Sequence, residues 1–227
     1  MEREPTSAAA VIFDLDGVIV DSEIWWHEER VAWATARGLS WSERDTRAVM
    51  GANSRGWARI TRERLGLPEA EEPAIVEAIV GRMAQRYGDG PPVLDGAVDA
   101  VRRIARRWPV AVASSAHRTI IDAALEATGL HDVIAVVVSS DEVAHGKPEP
   151  DVFLEAARRL GVQPARCLVV EDSLNGVLAG AAAGMTVILV PNASVPPAPG
   201  AADAADRVVP SLRDLDPATI SLRGPRS

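Results

Sequence analysis

From about residue 92 onward, short uninterrupted apolar runs alternate with stretches of helical period. The runs are VAVAS (110–114), VIAVVVS (133–139), CLVVED (167–172) and MTVILV (185–190), and AAAVIF (8–13) adds one more near the N-terminus. Between the later runs, residues 95–107, 117–128, 150–160 and 174–183 read as helices. A strand that is apolar throughout needs cover on both faces. Such runs alternating with helices predict a parallel sheet between two helical layers. Right-handed crossovers make this a doubly wound, Rossmann-like α/β fold.

Residues 22–91 break the rhythm. They hold no convincing strand and predict helices over 23–37, 42–50, 54–65 and 69–87, punctuated by Gly38, Gly51, Gly66 and Pro68. Gly88-Asp89-Gly90-Pro91-Pro92 reads as the return linker. The expected organisation is an α/β core from 1–21 and 92–227, with a helical cap at 22–91. Five of the six tryptophans fall in the cap, and Trp26 and Trp33, seven apart, share a helix face. Most are expected to form the cap's own core or its contact with the main domain, with Trp25 or Trp57 lining a pocket. In the tail, NASVPPAPGAADAAD (192–206) reads as a loop, RVVPSLRDL (207–215) as a short edge strand and a turn of helix, and 217–227 as poorly ordered.

Composition narrows the function. The net charge of −8, with no basic run, argues against nucleic-acid or anionic-membrane binding. The lone Cys167 excludes an internal disulfide and a cysteine metal site, and is expected as a small buried apolar residue. No stretch has the look of a signal peptide or the length of a membrane span. The expectation is a cytoplasmic protein, monomeric or weakly dimeric, whose partner is a small molecule.

In open α/β sheets ligands bind beyond the carboxyl ends of the strands. The first apolar run ends in Asp14 and Asp16, the second in Ser114-Ser115, and the fourth in Glu171-Asp172-Ser173; Lys147 follows the third in HGKPEPD. A parallel sheet gathers all of these on one edge. Two carboxylates at the mouth of a buried strand repel each other and lose hydration, so something must offset the cost, and a cation is the obvious candidate. Mg²⁺ takes hard oxygen ligands, few of them from protein, and Asp14, Asp172 and the Asp16 carbonyl offer such oxygens. A carboxylate can act as nucleophile toward phosphorus, a second acid can protonate the leaving oxygen, a lysine can offset the charge, and a serine can hold phosphate oxygens. Taken singly, each residue has an ordinary role open to it: Asp14, Ser114, Asp172 and Ser173 as helix caps, Lys147 as a loop lysine.

Taken together, DLDGV (14–18), ASS (113–115), GKPEPD (146–151) and EDSLNG (171–176) resemble the motifs of the haloacid dehalogenase-like hydrolases. More narrowly, the chain resembles their phosphoglycolate phosphatase and β-phosphoglucomutase-like branch, helical cap included. The resemblance implies Asp14 as nucleophile, Asp16 as general acid/base and main-chain metal ligand, and Lys147 as the stabiliser of the nucleophile. It implies Ser114, with Ser115 beside it, as phosphate-binding, and Asp172 as metal ligand, with Glu171 assisting directly or through water. Gly17 suits a tight turn, and Asn175 opens the following helix as a source of polar contacts.

Family members that cleave carbon–halogen bonds lack an acid two residues after the nucleophile; this chain has Asp16 there. That leaves a phosphatase of a small metabolite, with a sugar phosphate in view. The alternatives are a β-phosphoglucomutase-like mutase or a non-catalytic phosphate-binding regulator. Related mutases carry a histidine where this chain has Trp26, and the Gly51-to-Arg55 spacing departs slightly from theirs. Arg55 is expected to reach the non-reacting part of the substrate and Arg118 to contact an anion. Opening about 21–22 and 88–92 is expected to admit substrate.

Overall fold

The computed structural model describes residues 8–223. Strand β1 (Ala10–Phe13) is followed by helices α1 (Glu23–Thr35), α2 (Glu43–Val49), α3 (Ser54–Leu65) and α4 (Glu72–Gly88). The chain then alternates α5 (Ala97–Ala105), β2 (Val110–Ser114), α6 (Arg118–Ala127), β3 (Val136–Ser139), α7 (Asp151–Leu160), β4 (Cys167–Glu171), α8 (Leu174–Ala182), β5 (Thr186–Leu189), α9 (Ala201–Ala204) and β6 (Arg207–Val208). The strands form one sheet, all parallel, in the order β3-β2-β1-β4-β5-β6. β1 lies at its middle, where the strand order reverses direction.

Side chains alternate across the sheet. Val11, Phe13, Val110, Val112, Leu168, Val170 and Ile188 face one buried layer with α5 and α6. Ala10, Ile12, Ala111, Ala113, Cys167, Val169, Val187 and Leu189 face the other, with α7 and α8. This is the two-sided cover that the apolar runs require. The first layer also takes in Trp26, Ile75, Ile79, Met83 and Tyr87, because α4 lies across α6. The inserted helices and the sheet therefore share one continuous apolar core.

The connections on either side of the helical insert run side by side. Asp21 N–H donates to Pro92 O (2.7 Å) and Leu94 N–H to Ile19 O (3.0 Å). Local caps explain several helix starts: Ser42 and Asp45 form a capping box on α2, and Asn53 caps α3 through Gly56 N–H.

Three details differ from the sequence pattern. The strand expected over 133–139 begins only at Val136, because Val133 and Ile134 N–H bond back to Leu130 O in the turn that closes α6. The loop expected over 192–206 contains the short α9. Residues 217–223, expected to be poorly ordered, form a turn at Pro217–Thr219, bury Ile220, and tie Arg223 to Thr186 and Asp206; the remainder of that stretch lies outside the described residues. No helix among the described residues is long and apolar enough to cross a membrane.

Candidate active site

Register brings the acids together. Phe13 pairs with Val170, so the next residues, Asp14 and Glu171, emerge side by side from β1 and β4. Asp14 N–H continues the ladder by donating to Val170 O (3.0 Å). Lys147, from the loop between β3 and α7, reaches both acids. Its Nζ donates to Asp14 Oδ1 and Glu171 Oε1, each at 2.6 Å, and to Ala113 O at 3.2 Å. Glu171 Oε2 accepts from Asp172 N–H, Ser173 N–H and Ser173 Oγ at 2.9–3.0 Å. Gly176 makes room for this carboxylate: a Cβ there would lie 1.7 Å from Glu171 Oε1.

Asp14, Glu171 and Asp172 each offer an oxygen within 4.8 Å of the others. Burial drives the Asp14 carboxyl up to about 7 against the pull of Lys147. Burial also raises Asp172 well above the carboxylate range, with Glu171 and Asp14 adding to it. Burial would lower the Lys147 ammonium, but Asp14 and Glu171 outweigh it and raise it. Both Glu171 oxygens already hold protein donors, whereas no donor among the described residues reaches the Asp172 carboxylate. This donor set fits a hard divalent cation on Asp14 and Asp172, with Glu171 orienting Lys147.

Asp16 takes a different setting. Its Oδ1 accepts from Ser22 Oγ, from Tyr87 Oη (3.0 Å) and from Trp26 Nε1 (3.4 Å). Ser22 sits at the N-cap of α1, yet its hydroxyl serves Asp16 rather than the helix. Tyr87 belongs to the last turn of α4, so the acid is tethered to both ends of the helical insert. Ser114 is fully buried and its Oγ accepts Ala116 N–H (3.0 Å). Ser115 Oγ donates to Gly51 O (3.1 Å), and Asn175 lies against Gly51. The loop from 51 to 54 is thereby seated on the core, with Ser54 N–H donating to Asp141 Oδ1 (2.9 Å). Between insert and core lies a cavity of about 510 Å³, lined by Asp14, Asp16, Ser114, Ser115, Lys147, Glu171, Asp172 and Asn175.

The sequence motifs, their order and this constellation coincide with one family. The model of the family described as haloacid dehalogenase-like hydrolase matches residues 8–184. The chain belongs to the haloacid dehalogenase-like hydrolases. Among these, the fructose-1-phosphate phosphatase YqaB of Escherichia coli (strain K12) is 35% identical over 182 residues, 79% of this chain and 95% of the relative. A bifunctional riboflavin kinase/FMN phosphatase of Arabidopsis thaliana is 35% identical over 210 residues, 92% of this chain. This chain spans 54% of that larger protein. The solved structure of CbbY from Rhodobacter sphaeroides in complex with phosphate superposes with a TM-score of 0.77 at 26% identity, covering 90% of this chain and 95% of that one. This haloacid dehalogenase-like chain is an enzyme of the phosphatase kind.

The cap side of the cavity departs from expectation. Arg55 is exposed on α3 and does not line the cavity. The cap cations that do are Arg30 and Arg47. Arg118 is also absent from the wall; it pairs with Asp122 (2.8 Å) and Glu142 (3.4 Å). Trp57 lines the cavity, but Trp25 does not: it packs edge-on against Tyr87 at 5.7 Å, and Trp26 takes the place on the wall. Glu23 joins them, its carboxyl raised to about 7 by burial and by Asp16, against Arg30. Val195–Ala198 form a further wall, because Asn192 and Ser194 donate to Asp21 and hold their loop against the segment leading into α1. Arg30 follows Trp26 by four positions, one helical turn on the same face, which is the signal that could have singled it out. The Pro/Ala-rich loop carries no comparable signal.

Proposed function

We propose that the chain is a Mg²⁺-dependent phosphatase that hydrolyses a small, sugar-like phosphomonoester through an aspartyl-phosphate on Asp14. The observation that carries this reading is Lys147 bonded to Asp14 within the group of three carboxylates on the cavity wall. In this reading an Asp14 oxygen attacks phosphorus while the ester P–O bond breaks and Asp16 gives its proton to the leaving oxygen. Asp16, now a carboxylate, takes a proton from water as that water attacks the phosphoaspartate. Phosphate leaves and Asp14 is restored. Lys147 favours the ionised form of Asp14 and positions it, and Ser114 receives phosphate oxygens. The Asp14 and Asp172 carboxylates, with the Asp16 carbonyl, would hold Mg²⁺, which would supply neutralisation of charge on the transferring group.

The division into core (1–21, 92–227) and cap (22–91) belongs to the same reading, since the paired linkers at 19–22 and 92–94 are where a cap would pivot. That YqaB is a fructose-1-phosphate phosphatase supports a sugar-like leaving group. The test is release of inorganic phosphate over a panel of sugar phosphates with Mg²⁺, with isomerisation of β-glucose 1-phosphate measured alongside. At least one substrate turns over, and Asp14→Asn lowers that rate by roughly 10⁴-fold or more. Release no faster than that of Asp14→Asn across the panel, or isomerisation outpacing hydrolysis, overturns it.

A further inference from the structure

Arg30 is a buried cation with no carboxylate in ion-pair contact among the described residues. It is 6% exposed, its Nε makes no hydrogen bond, and no ion pair forms at it among the described residues. Its guanidinium carbon lies 5.0 Å from the Trp26 ring centroid and 5.4 Å from that of Trp57. Burial lowers it to about 10, and the fields of Glu23 and Asp16 only partly oppose this. Two indole faces steady the plane of a guanidinium but leave its N–H edge unserved. Burying an arginine this way is costly unless something else pairs with that edge. The residue lines the cavity that also holds Asp14 and Lys147, so the partner can come from the substrate.

We propose that Arg30 receives an oxyanion, a second phosphate or a carboxylate, at the end of the substrate remote from the transferred phosphoryl group. The proposal rests on the phosphatase reading for which end is transferred. Glu23, on the same wall, is left to accept hydroxyl groups between the two anionic ends. The substrate class is thus a short polyol or sugar phosphate carrying two anionic groups, one at each end. A planar fork held between two rings meets a phosphate or carboxylate with paired N–H donors.

The test uses equilibrium binding to the full chain carrying Asp14→Asn, with Mg²⁺. Two probe pairs differ in the remote group alone: 3-phosphoglycerate against glycerol 3-phosphate for a carboxylate, and fructose 1,6-bisphosphate against fructose 1-phosphate for a phosphate. In at least one pair the doubly anionic member binds about 10-fold tighter or more, and which pair does so identifies the anion. Adding Arg30→Met brings that ratio near one, while Arg30→Lys keeps part of it. Ratios near one in both pairs, or a ratio that survives Arg30→Met, overturn the proposal. The comparison within Asp14→Asn needs no change at Arg30, so a poorly folding variant leaves it decisive. Hydrolysis of p-nitrophenyl phosphate by the unaltered chain tests the phosphatase reading separately. Turnover with both ratios near one sinks the anion site alone; no turnover with a ratio that Arg30→Met erases sinks the phosphatase reading alone.

Discussion

At Gly17 the backbone turns with φ +80°, and a Cβ there would sit 1.9 Å from Asp172 Oδ2. Gly17→Ala therefore pays twice, in left-handed backbone strain of about 1–2 kcal/mol and in displacement of the Asp172 carboxylate. The expected outcome is a Tm lower by several degrees with a fall in kcat larger than the loss of folded protein explains; unchanged kcat would show that Asp172 tolerates the shift. Glu23 makes a prediction about pH. Its carboxyl rises to about 7 in the folded chain through burial, then the Asp16 and Asp21 charges, against Arg30. A raised folded value means the native state holds the extra proton, so this contribution to stability is complete below the unfolded value and is lost as pH rises through about 7. Glu23→Gln keeps the neutral form, so its Tm advantage over the parent chain grows from pH 5 to pH 8. A difference that is flat with pH would place Glu23 in water. At this scale the motif residues were legible because each ends an apolar run or, like Lys147, follows one in the next loop. Arg55 and Arg118 lie off the cavity wall, and nothing in the sequence could tell this, because an arginine on an amphipathic helix looks the same whether it faces a cavity, solvent or an acidic neighbour.

The helices of the insert pack on one another and also on the core. α4 lies across α6, with Ile75, Ile79, Met83 and Tyr87 fully buried along its length. Met83→Ala is expected to cost about 2–5 kcal/mol, read as a lower Tm for one cooperative transition of the whole described chain. A separate early transition of the insert alone would show instead that the shared core is not shared in energy. The loop from 51 to 54 supplies the second contact, through Ser115, Asn175 and Asp141. Element positions followed from the period of the apolar residues, and six strands and most helices lie where that pattern puts them. The exceptions have local causes. β3 starts late because the turn after α6 uses its first apolar residues, and residues 217–223 are ordered because Ile220 finds the core and Arg223 finds Asp206.

Across the whole molecule, charge at the sheet edge decides what the fold can hold. Three carboxylates, Asp14, Glu171 and Asp172, face one ammonium, Lys147, which leaves two negative charges when all are ionised. A divalent cation balances them, so Mg²⁺ is expected to raise Tm and a chelator to abolish turnover reversibly. Asp172→Asn should weaken the Mg²⁺-induced rise in Tm; a rise that persists undiminished would place the ion elsewhere. The α/β class and the convergence of Asp14, Ser114, Lys147 and Asp172 were contained in the order of residues along the chain, whereas the central place of β1 was not. Parallel strands leave no other edge for their carboxyl-terminal residues to occupy. Apart from Trp57, which the sequence offered for the wall, the cap's side of the cavity was not contained there. Trp26 and Arg30 come from α1 and Trp57 from α3, while Val195–Ala198 arrive from a loop near the other end of the chain. A helix pattern says that one face is buried, but only packing against distant neighbours says whether that burial ends in a core or in a cavity.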